Sequence, residues 1–136
     1  MKTFGITRGL VGITGLFQLV LGVLFWTGHA RSLVSVHMTV GLVFILSLWV
    51  LAGLSARAHA PIGLVVTTFV WGVVVLVFGM MQSRLVLGHN HWVVQATHLL
   101  TAIIAMALGG RLQMAVRRAS GSAPPAAMGH PAPARH

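Results

Sequence analysis

Four long apolar runs, residues 9–28, 33–54, 61–81 and 92–112, fill most of this sequence. As an α-helix, a run of about 20 residues rises far enough to cross a hydrocarbon core of about 30 Å. No proline interrupts a run, and Pro61 opens the third, where a helix tolerates a residue without an N–H. A backbone in lipid must satisfy its own hydrogen bonds, so the runs predict four transmembrane helices. The connections are brief: "GHAR", "SARAHA" and "QSRLVLGHNH". Short connections make antiparallel neighbours, which predicts an all-α, up-down-up-down bundle over residues 1–116. The first run is read as a retained span, because an apolar run resumes directly after it. The tail, residues 117–136, reads "RRASGSAPPAAMGHPAPARH" and is expected to be disordered.

Charge supports the membrane reading. Only 7% of the residues are charged, all of them Lys or Arg, and there is no Asp or Glu. A soluble domain carries about a quarter charged residues. The net charge of +9 sits at the ends of the apolar runs and forms no stripe, which argues for a lipid bilayer and against nucleic acid. Without carboxylate side chains there is no acid/base pair and no carboxylate-held magnesium or calcium site. Without cysteine there is no disulfide or thiolate site. Lys2, Arg8, Arg57, Arg111, Arg117, Arg118 and Arg135 fall on one side of the expected bundle, and Arg31 and Arg84 on the other. That bias predicts cytoplasmic termini, in what reads as a bacterial cytoplasmic membrane. Trp26, Trp49 and Trp92 are read as interfacial anchors, and Trp71 as an internal packing residue. Gln18 and Thr67 are expected to bond between helices, and Met80, Met81 and Met106 to pack.

The chemistry lies in the histidines. "SLVSVHMTVG" and "HWVVQATHLLTA" align His37 with His98, each followed four residues later by a small residue, Gly41 or Ala102. Both helices start from the outer side, so the two imidazoles are expected at similar depth on diagonal helices. Neighbouring helices pack 8–10 Å apart, which makes the diagonal roughly 11–14 Å. That gap suits two axial imidazoles with a flat, iron-centred ring between them. Small residues along the helices, Thr101, Ala102, Ala105 and Gly109 with Gly12, Gly15, Gly22 and Gly41, would leave its walls bare. Arg31 and Arg84 would pair with its two propionates, since guanidinium groups suit carboxylates.

Plainer roles stay open for each of these residues. A histidine within a membrane helix can hydrogen-bond across helices, and small residues pack membrane helices generally. Arg31 and Arg84 can flank lipid headgroups. The outer histidines His29, His89 and His91 fit a wet loop, a copper or zinc site, or a proton relay beside a quinone. His59, His130 and His136 are read as solvated.

The stretch "GLFQLVLGVLFWTGHARSLVSVHMTVGLVF" resembles the heme A synthase family, in which a Gln-x-x-Leu-Gly stretch precedes a helix bearing an axial histidine. "VVQATHLLTA" is similar to that family's Gln-x-x-His-Arg-x-x-Ala segment. The resemblance covers residues 11–112, the length of one four-helix half of a bacterial member. It implies a heme held by His37 and His98. The chain departs from the pattern at Val34, where the catalytic half has Glu, and at Met38 and Leu99, where Arg follows the histidines. Oxidation of a heme methyl is therefore not expected. A broader likeness is to small di-histidine membrane cytochromes b.

The sequence-based expectation is a membrane b-type cytochrome carrying heme b, with a second heme left open. Its heme would lie toward the outer side. It would serve electron transfer or support a membrane redox complex, with a quinone or a larger complex as partner and self-association left open. A cofactor-free accessory subunit of a larger membrane complex and a copper- or zinc-handling protein are the alternatives.

Overall fold

The computed structural model describes residues 2–85, 88 and 90–121. Four helices account for nearly all of them: α1 (Lys2–Trp26), α2 (Val34–Arg57), α3 (Ile62–Met81) and α4 (His91–Gly121). All four are long and apolar enough to cross a membrane. Single 3₁₀ turns, Arg31–Leu33 and Gln82–Arg84, lead into α2 and out of α3. The expected all-α four-helix bundle is what forms.

Each helix packs on its sequence neighbours, and α1 closes the ring against α4. Helices α2 and α4 also meet across the diagonal, with Cα atoms within 8 Å. That agrees with axes roughly 11–14 Å apart, since each Cα lies about 2.3 Å off its axis. Small residues permit the contact. Ala105 of α4 is fully buried, and a Cβ built on Gly109 would meet Leu48 of α2 at 3.2 Å and Val11 of α1 at 3.4 Å. Ala105 and Gly109 thus serve helix packing. Gly12 faces open space and is exposed.

The packed core occupies the half of the bundle nearest the α2–α3 connection. Val11, Phe44, Ile45, Leu48, Leu51, Val75 and Ala105 form one cluster there, and Ala52, Ala60 and Leu112 another. The outward surface is apolar as well: Ile13, Leu16, Val50, Ile62, Val66 and Leu100 are all at least half exposed. An apolar surface this extensive needs a lipid or protein covering.

The indole N–H groups of two tryptophans find backbone partners. Trp49 Nε1 donates to the Phe69 carbonyl at 3.1 Å, and its ring stacks on Phe69. Trp71 Nε1 donates to the Thr101 carbonyl at 2.9 Å, tying α3 to α4. Trp71 therefore packs internally as expected, but so does Trp49, which lies within α2 against the core and does not anchor an interface. Trp26 and Trp92 do sit at helix ends, about half exposed. The interhelical threonine is absent at Thr67, which is exposed. Its neighbour Thr68 is buried and bonds back to Leu64 in its own helix. Met106 packs on the core, whereas Met80 and Met81 are exposed.

Helix α4 runs to Gly121 and so takes in residues 117–121, which were expected in the disordered tail. Gln113, Met114, Ala115 and Arg117 to Ala119 are good helix formers, and nothing before Gly121 stops propagation. The rest of the expected tail, with His130, Arg135 and His136, lies outside the described residues.

Candidate functional site

Towards the α1–α2 and α3–α4 connections the four helices part around a cavity of about 700 Å³. That volume falls within the roughly 300–1,000 Å³ of small-molecule sites. The lining is mainly apolar, with His37 and His98 projecting into it from α2 and α4. Their ring centroids are 6.4 Å apart, with the ring planes at 67°. The matched depth expected from the alignment of the two segments is therefore real.

Both rings are held by packing and left unpaired in polarity. Phe25 of α1 meets His37 edge-on at 5.2 Å, and Phe78 of α3 meets His98 at 5.9 Å. Gly79 of α3 lies against the His98 ring, where a Cβ would stand 2.9 Å from Cε1. The buried Nδ1 atom of each histidine has no hydrogen-bond partner. A buried polar atom without a partner costs about 1–3 kcal/mol, so the site is unsatisfied on its own.

Gln18 is the second fixed point. Its Nε2 donates to the His37 carbonyl at 2.6 Å, bridging α1 and α2, as expected of an interhelical bond. Its Oε1 is buried without a partner. Gly41 lies against this amide, and a Cβ there would collide with Nε2. The small residue four positions after His37 thus makes room for the glutamine that braces the histidine's backbone.

The remaining expected residues divide. Gly41, Ala102 and Arg31 line the cavity, as do Gly15 and Gly22 of α1. Arg84 is exposed in the 3₁₀ turn after α3 and is not part of the lining. Among the outer histidines, His91 lines the cavity with its Nδ1 3.3 Å from the Leu85 carbonyl. His29 is exposed, with Nδ1 3.1 Å from Thr27 Oγ1. His89 lies outside the described residues, and among those described no three metal-ligating side chains cluster.

Phe25, Gly79 and Gln82 carry no sequence-based expectation, yet all line this space, as does Gln95 of the Gln-x-x-His segment, and Phe78 meets the His98 ring. One signal does point to α3. Gly72 and Gly79 are seven residues apart and so share a helix face. Trp49 packs against the first and His98 against the second.

The molecule is thus a membrane-type four-helix bundle with a paired-histidine cavity in one half. No family model, curated protein or solved structure matches the chain.

Proposed function

We propose that this protein is a membrane cytochrome that holds one b-type heme between His37 and His98 and moves single electrons. The observation that carries the reading is the pair of imidazoles in one cavity, 6.4 Å apart, each with a buried Nδ1 that has no partner. His37 and His98 would hold the heme iron, and the cavity they share, of about 700 Å³, has the size of a small-molecule site. The residues present therefore fit the group. Gly79 keeps side-chain bulk away from the His98 ring, Gly41 makes room for the Gln18 amide, Ala102 lines the cavity, and Phe25 and Phe78 limit the rotation of the two rings. Arg31, at the cavity edge, would take a propionate. Heme, when bound, supplies the one-electron couple, and the chain would tune it by ligand identity, burial and nearby charge. An outer-side location follows if the termini are cytoplasmic.

The resemblance to one half of heme A synthase supports the same ligands. Val34 leaves no carboxylate beside His37, so the proposal stops at electron transfer. The test is the absorption spectrum of the full chain purified from membranes, oxidised and reduced, with the heme content measured. One low-spin heme per chain is expected. Absence of heme from protein made with ample heme supply would sink the reading in favour of a cofactor-free subunit.

A further inference from the structure

Among the described residues, Gln18 Oε1, His37 Nδ1, Ser55 Oγ and His98 Nδ1 are buried without a hydrogen-bond partner. Buried polar atoms are normally paired, so each of these calls for an explanation. The Gln18 amide cannot be reversed. The His37 carbonyl only accepts, so the group that meets it at 2.6 Å must be Nε2. Oε1 is therefore an acceptor, held beside His37 and in need of a donor. A Cβ built on Gly41 would meet Nε2 and Cδ of Gln18 but not Oε1, so the oxygen is the end of the amide turned away from Gly41.

The unpaired atoms that could donate to it are few. Ser55 follows His37 on α2 by roughly 27 Å of helix, at the far end of the bundle. His98 projects from α4, across the diagonal. His37 Nδ1 belongs to the residue that the amide already grips. We propose that Gln18 Oε1 is the acceptor for His37 Nδ1–H when His37 ligates heme iron, which makes Gln18 a positioning residue of the site. The inference rests on the cytochrome reading. An imidazole that binds a metal through Nε2 carries its proton on Nδ1, and an acceptor there fixes the tautomer, orients the ring and makes the ligand more basic. A more basic ligand stabilises the oxidised iron and lowers the midpoint potential.

The test is redox titration of the heme-loaded full chain and three variants in one detergent. Gln18→Leu removes the brace on the His37 carbonyl and the acceptor together. Gln18→Glu keeps an oxygen at the same reach. Gly41→Ala adds no charge and keeps the amide, but pushes its far end aside, because the new Cβ would collide with Nε2. Gln18→Leu should shift the ferric-to-ferrous ratio about tenfold toward ferrous iron, a rise of about 59 mV for one electron. Gly41→Ala should raise the potential as well, and Gln18→Glu should leave it at or below the starting value. A role confined to bracing the backbone needs the donor and not the oxygen, so Gln18→Glu would then rise with Gln18→Leu. That pattern, or a potential unmoved in Gln18→Leu, overturns the proposal and leaves the cytochrome reading standing. If Gln18→Leu fails to hold heme, Gly41→Ala and Gln18→Glu decide by the same directions. A full chain that binds no heme overturns both.

Discussion

His37 and His98 face each other because four other residues put them there. Gln18 grips the His37 carbonyl, Phe25 and Phe78 flank the rings, and Gly79 gives His98 room. If the pair ligates heme, His37→Ala and His98→Ala should each abolish the low-spin spectrum, while His59→Ala, in the far connection, should leave it intact. A normal spectrum in the His98 variant would refute the assignment. Gly79→Ala probes the packing. In an open helical position, Gly→Ala gains about 1 kcal/mol of helix stability. Here the new Cβ would press on the His98 ring, and overpacking costs about 1–3 kcal/mol. The net effect should be lower thermal stability and a perturbed heme spectrum. Gly12→Ala, facing open space, should be neutral or mildly stabilising on the same melting assay. Arg31 and Arg84 now separate. A positive charge near the heme favours the reduced iron, so removing one lowers the midpoint potential. Arg31 lines the cavity and Arg84 does not. Arg31→Gln should lower the potential by tens of millivolts, on the order of one screened charge interaction, and Arg84→Gln should move it less. Redox titration of the three proteins in one detergent decides between the two arginines.

Helix ends show how much local geometry the sequence conveys. The four helices were legible because each apolar run has the length of a membrane span, and their packing neighbours because the connections are short. The ends were not: α1 extends back to Lys2 through Gly5 and two threonines, Thr3 and Thr7, which the apolar pattern leaves out, and polar residues with good helix propensity carry α4 on to Gly121. Helix α1 closes with Gly28 at φ 82°, where Gly28 N–H bonds the Phe25 carbonyl and His29 N–H the Leu24 carbonyl. Helix α2 closes with the same pair of bonds, from His59 to Ala56 and from Ala60 to Ser55, but His59 takes the left-handed position at φ 59°. Glycine occupies that conformation freely, whereas a residue with a Cβ is disfavoured by about 1–2 kcal/mol. His59→Gly should therefore raise the melting temperature, and Gly28→Ala should lower it, each by the equivalent of about 1 kcal/mol. If His59→Gly is destabilising, the His59 side chain has a role that its exposed position does not reveal.

At the scale of the whole bundle, one half is filled and the other is hollow. The histidine pair was legible because α2 and α4 start from the same end of the bundle and each carries an imidazole within about two turns of its start, His37 and His98. The direct contact between α2 and α4 was not, because it depends on which small residues face each other, and periodicity alone does not give that. Gly109 and Ala105 close the diagonal, while Gly41 and Ala102 line the opening. Four spans would put the start of α1 and the end of α4 on one side of a membrane, and the arginines decide which side. Among the described residues, Lys2, Arg8, Arg57, Arg111, Arg117 and Arg118 fall at that end of the bundle, and Arg31 and Arg84 lie at the cavity end. Short segments rich in Lys and Arg are retained in the cytoplasm. A fluorescent reporter that matures only in the cytoplasm should therefore be bright when fused after His136. A reporter active only outside should work in the loop after Arg84 and fail at the chain end. The opposite pattern would turn the molecule over. It would place the histidine cavity next to the cytoplasm, so any soluble electron partner would have to be sought there.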